Sequence, residues 1–186
     1  DTRIGLVGSE MCIRDSDYYA LITAHMLERG YRRSTAWNFS RDESLIDEYI
    51  TDNNEYLGLG SGAFSYLDGA LYGSTFSINH YLDRIASGKS GITRHLVLDK
   101  RDQRHYWLLM NLFGGSIDQA AIPETHATRL GLELLGLRLL GAVRKVGGRF
   151  QLTERGQFLW VVLMREFFTN VNEFRERMRL EIPAED

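Results

Sequence analysis

Apolar and aromatic side chains recur every three to four positions over 17–29, at Tyr18, Leu21, Ile22, Ala24 and Leu27, and Gly30 follows. That spacing predicts an amphipathic helix with a glycine end. From 31 to 39 the chain turns to Tyr, Ser, Thr, Trp and Phe, which fits extended backbone. Asn38 and Ser40 favour a turn, and Leu45, Ile46, Tyr49 and Ile50 predict a short helix or turn. Phe64-Ser65-Tyr66-Leu67 alternates as a strand does, whereas Ile78, Tyr81, Leu82 and Ile85 share one helical face that Gly88 closes.

The last ninety or so residues change character. Helices are predicted over 102–113, through Tyr106, Leu109, Met110 and Phe113 before Gly114-Gly115, and over 124–137. Two short apolar segments at 139–146 and 149–152 flank Gly147-Gly148, and a strongly apolar helix at 158–168 follows Thr153-Glu154-Arg155-Gly156. Helices followed by a hairpin wing are the layout of a winged-helix module. Charge shifts with the pattern: 1–93 carry 8 Lys or Arg and 13 Asp or Glu, and 94–186 carry 14 and 12, so a boundary is expected at 93/94.

Glycine is dense in between, at Gly58, Gly60, Gly62, Gly69 and Gly73. A loop built on Gly60, Ser61, Gly62 and Ala63 can bring backbone close to a ligand, or can serve tight packing of an end strand. It lacks the spacing of a dinucleotide fingerprint.

Composition narrows the function classes. The 186 residues are 44% hydrophobic with a net charge of -3, enough to bury a core and without a polybasic tail for nucleic acid or membrane. No stretch has the length of a membrane span and no signal peptide is evident, so a cytoplasmic protein is expected. Cys12 is the single cysteine, and His25, His80, His95, His105 and His126 are scattered, so no disulfide forms within the chain and neither a metal ligand set nor a catalytic residue is expected. Residues 11–16, MCIRDS, resemble a translated sequencing adapter, and 1–16 are taken as an unassigned leader in which GLVGS is no phosphate loop.

Three stretches, YRRSTAWNFSR at 31–41, DEYITDNNEYLGLGSGAFSYLDGALYGSTFS at 47–77 and LTERGQFLWVVLMREFFTNVNEFRERMR at 152–179, resemble the C-terminal half of the oxygen-independent coproporphyrinogen oxidase-like radical S-adenosylmethionine (SAM) proteins. STAWNFSR, GSGAFSYLDG and MREFF are most similar to the subgroup that opens the haem ring anaerobically. Phe64 stands where the plain oxidases more often carry a histidine. The resemblance implies an α+β class, an α/β fragment in which 17–93 form the last segment of a partial (β/α) barrel and 94–186 a mostly helical, winged-helix-like accessory domain.

It also implies an enzyme, with SAM and a [4Fe-4S] cluster as cofactors, haem or a related porphyrin as substrate and an electron donor as partner. Methyl transfer, ring opening and iron release would be its chemistry, and coproporphyrinogen oxidation or haem chaperoning the alternatives. The CxxxCxxC loop and the first βα units are expected upstream, leaving this portion inactive alone. A flat ligand with acidic edges calls for aromatic walls and an arginine or backbone donors. Trp37, Phe39, Phe64, Tyr66 and Tyr72 can supply walls and Arg41 can reach a propionate, with Asn38 a further substrate-side candidate, or the aromatics can form a packing joint. Gly60, Ser61, Gly62 and Ala63 are the cofactor-side candidates.

Two rival classes stand beside this reading. A DNA-binding winged helix needs several exposed cations on one helix, and 124–137 with its flank offers Arg129 and Arg138 opposed by Glu124 and Glu133. A non-catalytic interaction module is the other. Arg175, Arg177 and Arg179 alternate with glutamates and read as a solvated face.

Overall fold

The computed structural model of the chain describes residues 3–41 and 54–180, with backbone alone at 3–13, 179 and 180. Its elements in chain order are α1 (Arg3–Glu28), β1 (Arg32–Arg33), β2 (Phe39–Ser40), β3 (Phe64–Leu67), β4 (Ala70–Ser74), α2 (Ile78–Ala86), β5 (Ile92–Val97), α3 (Lys100–Phe113), β6 (Ser116–Asp118), α4 (Glu124–Leu139), β7 (Val143–Val146), β8 (Arg149–Leu152) and α5 (Glu154–Leu180). The segment expected at 45–50 lies outside the described residues. The chain packs as two compact units, Asp1–Ile46 with Asn111–Val162 and Asp47–Met110 with Leu163–Asp186.

In the first unit, the helix predicted at 17–29 is the second half of α1, which begins back in the leader. It stops where glycine was expected: Gly30 N–H bonds Leu27 O at 3.0 Å and Tyr31 N–H bonds Met26 O at 3.1 Å, the paired reach-back bonds that a left-handed residue permits. Tyr19 then donates its hydroxyl to Ala36 O at 2.6 Å, tying α1 to the turn between β1 and β2. The 3-stranded sheet β6-β8-β7 closes through Gly147-Gly148, with φ of 53° and 80°, the mirror-image turn that two-residue hairpins favour. Leu130 and Leu134, one turn apart on α4, are buried with Ile117, Phe150 and Leu152. Helix α4 is followed directly by the β7-β8 hairpin.

The first turn of α5 gives the Leu-Thr-x-x-Gly stretch a physical reason. Thr153 caps the helix, its Oγ1 accepting from Gly156 N–H at 3.1 Å while its own N–H bonds Ala142 O at 3.0 Å. A Cβ on Gly156 would lie 1.9 Å from that same Ala142 oxygen. Only glycine lets the helix start so close.

The second unit is built on the 3-stranded sheet β3-β4-β5. Both of its pairings are antiparallel, and among the described residues there is no parallel βα repeat and no barrel closure. The reason is local. Asp68-Gly69, with φ of 47° and 73°, joins β3 to β4 by a two-residue turn, a link too short for parallel neighbours. The fold is mixed α and β all the same.

Helices pack on this unit in two contrasting ways. Gly73 faces α5 so closely that a Cβ would meet Met178 Sδ at 3.1 Å, so a bare backbone lets the helix sit against the sheet. Helix α2, capped by Ser77 through His80 N–H, buries no residue. Its predicted face of Ile78, Leu82 and Ile85 is exposed.

Candidate functional site

Strand residues alternate between faces, and cross-strand partners share one. Phe64 opposes Gly73 and Tyr66 opposes Leu71, while Leu71 opposes Leu96. These side chains therefore form one face of the second unit's sheet. The C-terminal part of α5 covers that face with Phe167, Phe168, Val171, Phe174 and Arg175, positions one helical stripe apart. Between them lies a cavity of about 240 Å³, lined also by Tyr56 and Asn170.

Its lining is aromatic and aliphatic apart from three polar groups: the Tyr56 phenol, the Asn170 amide and the Arg175 guanidinium. Phe64 is the hub. Its ring is 6.0 Å from Phe174 and 6.2 Å from Phe76, and the Arg175 guanidinium stands 5.3 Å over it, a cation on an aromatic face. Arg175 Nη1 donates to Asn172 Oδ1 at 3.2 Å, but its buried Nε has no partner among the described residues.

Tyrosines back one wall. Tyr56 and Tyr106 share a hydroxyl contact of 3.1 Å, and the Tyr106 ring lies 4.3 Å from Tyr66 and 6.0 Å from Phe167. Burial, reinforced by the Glu55 carboxylate and Tyr56, pushes the Tyr66 phenol above its ordinary range. It stays neutral at any physiological pH.

The residues picked out from sequence distribute unevenly around this cavity. Phe64 lines it. Tyr66 is buried on the same face beside Tyr106 without lining it, and Tyr72 points to the opposite face, where its ring stacks near His95 at 6.2 Å. Period-two geometry therefore keeps Tyr72 from being a wall here. Gly60, Ser61, Gly62 and Ala63 lead into β3, and their donors serve the unit itself: Gly62 N–H bonds Thr75 O at 2.8 Å, and Ser61 Oγ bonds the same oxygen at 2.8 Å.

Trp37, Asn38, Phe39 and Arg41 belong to the first unit, where each has local work. Trp37 packs edge-on to Phe113 at 4.7 Å. Asn38 closes the β1-β2 turn, its carbonyl accepting from Ser34 N–H at 2.8 Å. Phe39 lies 5.7 Å beneath the Arg33 guanidinium, and Arg41 covers the Tyr31 ring at 4.6 Å. Arg33 itself also pairs with Glu154 at 3.0 Å. Sequence reasoning missed Phe167, Phe168, Phe174 and Arg175 as lining; their i, i+1, i+7, i+8 spacing was the available signal.

No residue set here can hold the implied cluster. Three thiolates are needed and Cys12 is the single cysteine. Among the described residues no group of three or more His, Cys, Asp or Glu side chains converges as a metal site, and no helix is long and apolar enough to cross a membrane.

Comparison with known proteins gives a partial answer. No family model matches the chain. The heme chaperone HemW of Lactococcus lactis subsp. lactis (strain IL1403) is 32% identical over 92 residues, 48% of this chain and 24% of that protein. The solved structure of coproporphyrinogen III oxidase (HemN) from Escherichia coli, a radical SAM enzyme, superposes with a TM-score of 0.52 over 76% of this chain and 38% of that one, at 17% identity. The chain thus spans about a quarter of that curated relative's length. It is similar, at low identity, to haem-related and radical SAM proteins, and shares the mixed α/β fold of part of the latter.

Proposed function

We propose that this chain is the tetrapyrrole-holding portion of a haem- or porphyrin-handling protein related to the coproporphyrinogen oxidase-like radical SAM group. Its task is to grip one edge of the ring, with no chemistry of its own. The observation that carries the reading is the aromatic cavity between the β3-β4-β5 face and α5, with a guanidinium at its wall. Flat apolar ligands are held by such walls with few polar groups fixing orientation. About 240 Å³ falls below the roughly 300–1,000 Å³ of sites that enclose a whole small molecule, so a macrocycle enters by an edge.

Within that reading, haem binding and hand-over is preferred to methyl transfer with ring opening. The relative matched at 32% identity is a heme chaperone, and this chain's residues do not fit a cluster. SAM, a [4Fe-4S] cluster, an electron donor and iron release belong to the proposal only for a longer parent protein. Gly60, Ser61, Gly62 and Ala63 are the SAM-side candidates, although Ser61 and Gly62 already commit donors to Thr75. Trp37, Asn38, Phe39 and Arg41 remain candidates for a second contact with the macrocycle.

The test is a titration of ferric haem into the 186-residue chain, followed by Soret absorbance, alongside Phe174→Ala. Saturable binding that weakens roughly tenfold in the variant is expected, since covering a phenylalanine contributes about 1.5–3 kcal/mol. Binding unchanged in Phe174→Ala would show that the cavity is not the site.

A further inference from the structure

We propose that Arg175 is the anchor for a carboxylate at the edge of the ligand, which makes the cavity selective for flat apolar acids over their neutral counterparts. The inference rests on the proposed reading only for the ligand's identity as a tetrapyrrole. The cavity and the arginine argue for the acid by themselves.

Arg175 sits on the wrong stripe of α5 for a solvated cation. It follows Phe168 and Val171 at i+7 and i+4, on the face that lines the cavity. Its guanidinium lies over Phe64, and its Nε is shielded from water without an acceptor. The contact that it does make, to Asn172 Oδ1 at 3.2 Å, is with a neutral amide, and among the described residues no carboxylate is seen paired with it. Leaving a donor of a charged group desolvated and unpaired is costly. A cation held this way on an apolar wall is complementary to an anion that arrives with an apolar body.

Carboxylate fits better than other anions on geometric grounds. A planar guanidinium meets a planar carboxylate with two parallel hydrogen bonds. The remaining lining, Phe64, Leu71, Leu96, Phe167 and Phe174, offers apolar and aromatic surface that suits a flat ring attached through a short flexible arm, as in an aryl-alkanoic acid or a porphyrin propionate. A phosphate ester with its larger hydration shell would meet one cation and, beyond it, two neutral donors alone among the lining side chains, the Asn170 amide and the Tyr56 phenol.

Two fluorescent probes test this on the 186-residue chain: 4-(1-pyrenyl)butyrate with its amide, and mesoporphyrin with its diamide. The acids are expected to bind roughly 10- to 100-fold more tightly than the amides, the range given by hydrogen bonds to a charged group. Arg175→Gln should erase the difference, and Arg175→Lys should keep part of it while serving as the folding control. Acid and amide binding alike in the native chain, or an undiminished preference in folded Arg175→Gln, overturns the anchor. Should pyrenylbutyrate bind through Arg175 while mesoporphyrin does not bind at all, the anchor stands and the tetrapyrrole reading falls.

Discussion

Gly156→Ala strains the close approach at the start of α5 directly. In most exposed helix positions replacing glycine by alanine stabilises by about 0.8–1 kcal/mol. Here the new Cβ would lie 1.9 Å from Ala142 O and 3.2 Å from Leu152 Cδ2, so backbone has to move. That movement works against the bond that the same carbonyl accepts from Thr153 N–H at 3.0 Å, worth about 0.5–1.5 kcal/mol. Overpacking of this kind costs about 1–3 kcal/mol, and with that bond weakened and the propensity gain subtracted the net loss is about 0.5–4 kcal/mol.

Gly131→Ala is the matched control. Gly131 lies within α4, and a Cβ there meets nothing within 4 Å, so a gain of up to about 1 kcal/mol is expected. Urea unfolding followed by far-ultraviolet circular dichroism reads both variants. Opposite signs support the close-approach argument, and a Gly156→Ala chain as stable as Gly131→Ala refutes it.

Thr153→Ala, which removes the cap on Gly156 N–H, should lower stability by about 1 kcal/mol in the same unfolding assay, with no change in probe binding. Alkaline titration should expose Tyr66. Because its phenol is raised above the ordinary 10.0, its contribution is intact below pH 10 and is lost as the pH climbs through the raised value, when the unfolded chain gives up that proton more readily. Phenolate absorbance should lag behind that of exposed tyrosines, and Tyr66→Phe should move the alkaline unfolding midpoint upward; a midpoint unmoved by Tyr66→Phe would contradict the burial argument.

Local chemistry made parts of the fold legible. Gly30 and Gly88 end helices, Gly147-Gly148 turns a hairpin and Phe64-Ser65-Tyr66-Leu67 forms a strand because each is decided within a few residues. Asp68-Gly69 carried an equally local hairpin signal, and with it the antiparallel pairing of β3 with β4. The exposed face of α2 was harder: Ile78, Leu82 and Ile85 have helical spacing whether or not anything covers them.

The site was less readable for a similar reason. Arg175 alternates with Glu173 and Glu176, which reads as a wet surface until helical phase places it beside Phe168 and Val171. Arg41, the cation expected for the ligand, covers the Tyr31 ring. Tyr72 lies on the sheet face opposite Phe64, beside His95. None of these outcomes is encoded in residue type; each depends on phase or on a partner distant in sequence.

Where the macrocycle sits is the central claim, and amide chemical shifts measure it most directly. On adding zinc mesoporphyrin to the labelled 186-residue chain, the largest saturable shifts are predicted at Phe64, Leu71, Leu96 and through 167–175. Shifts confined to other surfaces, such as the apolar face of α2, or a spectrum that does not change, would contradict it.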